Sequence, residues 1–271
     1  MNMKKLRYIC LVVLPAFALM LESCRKNPDD NTINIFSISD DKSLGLQVKE
    51  EIFANPSEYP VLDTVRYAAA YAYLRGIVSK IMDGGKVYYK DDFAWETYII
   101  HDDNVLNAFC TPGGYIFVYT GLIKYLDAEH ELAGVMGHEI AHADRRHTTD
   151  AMTREYGLSV LLNVAFGKDP TTLKNITGNL IALKYSRNAE TEADKYSVVY
   201  LCPTDYRANG AAGFFQKLID AGDGEGSLEW FSTHPSPDNR VQRINSEKEE
   251  LSCSGNSTFD SAYEEFKSQL P

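Results

Sequence analysis

Positive charge is what this 271-residue chain has little of: 27 Lys and Arg stand against 38 Asp and Glu, a formal net charge of −11. Phosphates must be met by Lys and Arg, so nucleic acid is excluded as a partner. Long apolar runs are also missing. Residues 9–21 are too few to cross a bilayer comfortably, and LSVLLNVAF at 158–166 reads as a core helix or a greasy lid over a site. Internal repeats and low-complexity tracts are absent. What remains is one globular domain of ordinary size, with 44% hydrophobic and 24% charged residues.

The N-terminus is a targeting segment. Lys4, Lys5 and Arg7 form a basic head before the apolar run, and Leu21-Glu22-Ser23-Cys24 resembles the lipobox of bacterial lipoproteins, in which Cys24 becomes the acylated first residue. Residues 25–42 are polar and without period, as a tether would be. Cys10 leaves with the signal and Cys24 carries lipid, so Cys110, Cys202 and Cys253 remain. An odd number in an oxidising compartment allows one disulfide and one spare thiol. The expected pair is Cys202–Cys253, with Cys110 buried and free.

Histidine is scarce too, six in all, yet two of them make His138-Glu139-Ile140-Ala141-His142. With so few histidines, a chance HExxH is on the order of one per cent. Four residues on a helix is a full turn plus about 40°, so both imidazoles leave one face and can hold one zinc ion. Glu139 is placed to take a proton from water rather than to bind metal. Asp127 is the expected N-cap, and Leu132, Val135, Met136, Ile140 and Ala143 form the buried stripe. Gly134 and Gly137 each cost about 1 kcal/mol against Ala, which close approach of another backbone would offset. His147 lies five residues past His142 with no Gly to bend the chain back, and reads as a helix-end residue.

Upstream, helices are expected over 44–53 and 61–82, the second packing through Val65, Ala69, Ala72, Gly76 and Ile77. Strands follow at 95–101, 105–110 and 115–119, the last two joined by the turn Pro112-Gly113-Gly114. One exposed sheet edge could hold an extended peptide through its main chain. Downstream, residues 186–194 supply what two histidines lack. Glu190 and Asp194 share a helix face, so Glu190 can be the third ligand while Asp194 accepts the free ring N–H of a ligand histidine. Glu192 points elsewhere and should be solvated. His234, in a Pro-stiffened loop before a helix over 238–246, is a loop residue, a further zinc-region histidine or an oxyanion donor. Gly222, Gly224 and Gly226 upstream give that loop a hinge, so it could cap the metal in a latent resting state.

Taken together, Asn107-Ala108-Phe109 with Pro112-Gly113-Gly114-Tyr115, Thr120-Gly121-Leu122, HELAGVMGHEIAH at 130–142, Ser186-Arg187 with Glu190 to Asp194, and His234-Pro235 with Arg240 resemble the HtpX/BepA/Oma-like zinc metallopeptidases, a family that includes the CAAX prenyl proteases. The resemblance implies an α+β, mostly helical gluzincin domain with a small three-stranded sheet beside the HExxH helix. It implies one zinc ion held by His138, His142 and Glu190, with Glu139 as general base. It also implies Asn107, Ala108 and Phe109 as the substrate edge strand, His234 near the metal, and Arg240 in a structural or electrostatic role. The expected plan is a signal peptide at 1–23, a tether at 24–42, the peptidase domain at 43–251 and a C-terminal tail packed on it at 252–271. The expected function is a lipid-anchored envelope endopeptidase, located at the outer membrane, acting on extended or unfolded polypeptides. The alternative is a chaperone-like binder with a latent or structural zinc site.

Overall fold

A computed structural model describes residues 34–155, 170–222, 230–235 and 239–271. The signal segment, Cys24, the apolar run at 158–166, Gly224, Gly226 and Pro237 lie outside the described residues. Helix α1 (Ile38–Ala54) opens with a capping box: Ser37 Oγ accepts from the Asp40 amide, and the Asp40 carboxylate accepts from the Ser37 amide. It buries Leu44, Val48 and Ile52 as expected but starts earlier. The Asp41 carboxylate accepts from Arg146 Nε at 2.5 Å, Arg146 also donates to the Phe36 carbonyl at 2.6 Å, and Asn34 donates to Thr149 Oγ1 at 2.8 Å. Residues 34–42 are therefore domain, not tether, because their polar groups find buried partners and Phe36 joins the core.

Helix α2 (Ala68–Asp83) starts seven residues later than the expected 61. The preceding stretch pairs with the sheet instead, Leu62 N donating to the Ile99 carbonyl at 2.9 Å, and Val65 is left 83% exposed. The buried face runs through Ala70, Tyr71, Leu74, Ile77, Val78 and Ile81, so of the expected stripe only Ile77 packs. Larger side chains win that competition because burial stabilises in proportion to apolar area, about 1.5–3 kcal/mol for each large residue. Tyr71 also donates its hydroxyl to the Leu62 carbonyl and accepts from Ile99 N.

The sheet comprises β1 (Glu96–Ile100), β2 (Ala108–Thr111) and β3 (Tyr115–Tyr119), ordered β1-β3-β2. Strand β1 runs parallel to β3, and β2 forms the expected antiparallel hairpin with it. Gly113 and Gly114 turn that hairpin at φ +76 and +89, values that L side chains rarely adopt. A short helix α3 (Thr120–Tyr125) leads into α4 (Glu129–Asp144), every residue of which is buried.

Asp127 does not cap α4. Ala128 occupies the N-cap position, Glu131 reaches back to accept from Asp127 N at 2.9 Å, and the Asp127 carboxylate pairs with Lys217. Helices α5 (Pro170–Ile181), α6 (Arg187–Leu201), α7 (Gly210–Ala221), α8 (Arg240–Glu250) and α9 (Asp260–Ser268) follow. The last but one starts later and ends later than expected, after Asn239 at φ +57. Helix α4 is flanked by α6 and α7. The approach to α7 is closest where a Cβ on Gly134 would sit 2.1 Å from Ala211 N, and one on Gly210 would sit 1.8 Å from the His130 carbonyl. The close approach expected of Gly134 is there; Gly137 has only ordinary contact, 3.4 Å from Ser197 Cα.

Near the C-terminus Tyr263 and Phe266 are buried, and Tyr263 donates to the Ile123 carbonyl at 2.7 Å. Cys202 and Cys253 form the expected disulfide and Cys110 is free and buried. Closing 51 residues of chain this way contributes about 4 kcal/mol in the chain-entropy picture. Among the described residues no helix is long and apolar enough to cross a membrane. The architecture is thus the α+β, mostly helical one expected, with its three-stranded sheet beside α4.

Candidate metal centre

One turn of α4 sets His138 Nε2 and His142 Nε2 3.1 Å apart. Helix α6 brings the third group. Ser186 caps it by accepting from Ala189 N, which places Glu190 in the first turn, with its carboxylate 3.5 Å from His138 Nε2 and 3.3 Å from His142 Nε2. The His234 turn is tied to the same helix start, since Tyr185 N donates to the Thr233 carbonyl at 3.1 Å. His234 stacks on Trp230 and sets Nδ1 3.1 Å from Glu190 Oε1. Ligand atoms of His138, His142, Glu190 and His234 all lie within 4.8 Å of one another, and all four residues are buried.

The two imidazole nitrogens face each other beside a carboxylate, and a dication among them would take a lone pair from each. Imidazole and carboxylate are zinc donors, so the residues present fit that ion. Burial alone would raise the Glu190 carboxyl, but His234, His138 and His142 hold it well below the ordinary range. Burial drives the His142 imidazole well below its ordinary value, toward the neutral form a ligand needs.

Glu139 stands beside this set and outside it. Neither of its carboxylate oxygens has a hydrogen-bond partner among the described residues, and His234 Nε2 is 3.6 Å from Oε1. Burial pushes its carboxyl up to about 7, with Glu190 adding and His234 and Arg240 opposing. A buried carboxylate with free lone pairs and that affinity can exchange a proton near neutral pH.

Behind these donors, His138 Nδ1 is 3.0 Å from Asp194 Oδ1. Arg240 donates to that oxygen at 2.7 Å and to Glu190 Oε2 at 2.9 Å, with its guanidinium 3.5 Å over the Phe215 ring. Three residues stand closer to the centre than their sequence context indicates. Glu192 is not solvated: it accepts from Arg145 Nε at 2.6 Å and lies 3.3 Å from His147 Nε2. His147 stays outside the four-donor cluster, as expected, but its Nδ1 is 3.0 Å from His142 Nδ1. The bend that needed a Gly is made by Arg146 at φ +61, held there by Asp41 and Phe36. Tyr185 stacks on His142 with ring centroids 3.8 Å apart, and no motif announced it.

Asn107 lies just before β2, and its carbonyl accepts from Tyr119 N, so by antiparallel alternation Ala108 and Cys110 turn their backbone groups away from β3. Among the described residues β2 pairs with β3 alone, so its other side is the free edge of the sheet; Ala108 and Phe109 are themselves buried, and Asn107 Oδ1 accepts from Ala108 N at 2.9 Å. Strands pack flat against helices here, which period-2 alternation alone does not foresee.

Residues 68–248 match the sequence model of Peptidase family M48. The chain belongs to that family. It is 30% identical over 216 residues to the mitochondrial metalloendopeptidase OMA1 of Schizosaccharomyces pombe, covering 78% of this chain and 62% of the relative. It is 30% identical to the metalloprotease YcaL of Escherichia coli, covering 54% of this chain and 60% of the relative. A beta-barrel assembly-enhancing protease of Yersinia pestis is 29% identical over 53% of this chain and 32% of its own length. The chain therefore spans from about a third to three fifths of these curated relatives.

Proposed function

We propose that this M48 chain is a zinc metalloendopeptidase of the bacterial cell envelope, anchored by lipid at Cys24 and cleaving extended stretches of unfolded or misassembled proteins. The observation that carries the reading is the unpartnered Glu139 carboxylate standing against the His138–His142–Glu190 donors. A purely structural site has no use for a buried carboxylate with free lone pairs. One zinc ion per chain, held by those three donors, supplies a Lewis acid to the peptide carbonyl and acidifies water. The chain does the rest. Glu139 takes the proton of the attacking water on its carboxylate and returns it to the leaving amine nitrogen. Asp194 and Arg240 hold His138 and Glu190 in place, and the outer edge of β2 at Asn107, Ala108 and Phe109 aligns the substrate main chain. Envelope placement rests on the lipobox-like segment before Cys24 and on the name of the Yersinia relative.

His234 favours a second reading. As the fourth buried donor it would close the set, as in structural sites, and leave no open position. A latent enzyme and a chaperone-like binder share that geometry; they part under mutation. Glu139→Gln should keep one zinc per chain and lose casein cleavage by several orders of magnitude. If His234 is a plug, His234→Ala should raise basal cleavage, and if it is an oxyanion donor the same change should lower kcat by about 10²–10³. Casein left intact by every zinc-loaded form would leave the binder reading standing.

A further inference from the structure

We infer that His147 is a positioning residue that fixes the ring tautomer of His142, with Glu192 and Arg145 ordering it from behind. The inference rests on the zinc reading and goes beyond its donor set.

Proton placement decides it. His142 Nε2 faces the centre, 3.1 Å from His138 Nε2 and 3.3 Å from Glu190 Oε1. To give a lone pair there, a neutral imidazole must carry its single proton on Nδ1. That atom lies 3.0 Å from His147 Nδ1, which must then accept. His147 keeps its own proton on Nε2, and this faces Glu192 Oε2 at 3.3 Å. The other Glu192 oxygen accepts from Arg145 Nε at 2.6 Å, and Arg145 lies over the Tyr196 ring at 4.5 Å. Each link has a donor on one side and an acceptor on the other. The opposite tautomer of His142 would turn His147 round and set its bare Nε2 against a carboxylate.

The local geometry is built for this arrangement. His147 is 2% exposed, and it reaches His142 only through the left-handed Arg146, which a carboxylate and a carbonyl from the N-terminal segment hold in place. Tyr185 lies flat on His142 and anchors its hydroxyl at Thr148 Oγ1, 2.9 Å away, so the ring cannot flip out of line. A histidine that served only to fill space would need none of these partners.

Zinc affinity, measured by competition with a chromophoric chelator, separates the roles. The set is the parent chain, His147→Phe, His147→Gln and Glu192→Gln, with metal-free melting temperatures as the fold control. His147→Phe keeps the volume and loses the acceptor, and should weaken zinc about 10–100-fold. His147→Gln offers an amide oxygen to His142 Nδ1–H and should recover most of that loss. Glu192→Gln should give a smaller loss than His147→Phe, and the absorption of the cobalt-substituted protein should shift in the order of affinity. Equal affinity in the parent and His147→Phe overturns the inference, as does equal loss in the Phe and Gln variants, which would make His147 a packing residue. Should His147→Phe not fold, unchanged affinity in Glu192→Gln overturns it. A parent chain that binds no zinc removes the zinc reading itself; a parent that binds while the variants match it removes this inference alone.

Discussion

His138 and His142 leave one face of α4 a turn apart, yet what stands behind each is built differently. Behind His138 the arm is one residue long: Asp194 takes the ring contact and Arg240 grips that carboxylate, while also donating to Glu190. Behind His142 the arm runs through His147 and Glu192 to Arg145, and its far end is partly open, with 14% of the Glu192 side chain exposed. The short arm ties one candidate donor to the charge balance of the centre, because one buried guanidinium serves two carboxylates. The long arm ties the other to the end of the helix, next to the residue that holds the N-terminal segment. Both finish in arginine, whose fixed fork suits a carboxylate better than lysine's point charge. His130, on the same helix, has no arm: its Nδ1 is buried and unpartnered among the described residues.

The sharpest way to break the comparison is to remove each arginine from the metal-free protein. Arg240→Met strands Asp194 and Glu190 in the interior and should cost about 3–5 kcal/mol in chemical denaturation. Arg145→Met should cost less than half of that, since Glu192 keeps contact with water and with His147. Equal losses would show that arm length is irrelevant to stability.

Next in size is the effect on metal. Asp194→Ala should weaken zinc by about 10–100-fold, with the loss at least as great as for His147→Phe because a full negative charge, not a neutral ring, has gone. A smaller loss, read in the same chelator competition, would reverse the ranking of the arms.

The smallest effect belongs to the armless histidine. Burial lowers the His130 imidazole from its ordinary value to about 4, with Arg207 adding to the shift and Asp260 and the Thr258 backbone opposing it. Between those values the unfolded chain binds a proton that the folded chain refuses, so stability is present above about pH 6.5 and is lost as pH falls toward 4. His130→Leu should therefore narrow the difference in melting temperature between pH 7 and pH 5 in metal-free protein; an unchanged difference would mean that His130 meets acid with a partner after all.

What could be read in the chain beforehand was local. HExxH, the four-residue step from Glu190 to Asp194, the Pro112-Gly113-Gly114 turn and the alternation of β3 each depend on periodicity within one element. The misreadings depend on partners far along the chain. Glu192 was expected in water because its angle on α6 differs from that of Asp194, and the geometry was right; Arg145, 47 residues away, waits on that side. His147 lacks the glycine that a bend would ordinarily use, and Asp41, 105 residues from Arg146, holds the bend instead. Polarity over 34–42 suggested a tether, but composition does not reveal whether a polar group will find a buried partner.

The Cys202–Cys253 bond joins the far ends of the two helices that serve the centre from their first turns. Helix α6 delivers Glu190 and Asp194 and ends beside Cys202; α8 delivers Arg240 and ends just before Cys253. The pair works like tweezers with a welded heel. Glu190 sits 11 residues up its limb from Leu201, about 17 Å at 1.5 Å per residue. A splay of about 5° at the heel would open the tips by about 1.5 Å at that rise. Misplacement of about 1 Å is enough to cost a reaction two orders of magnitude. A covalent link far from the donor cluster thus bears on how closely its donors are held.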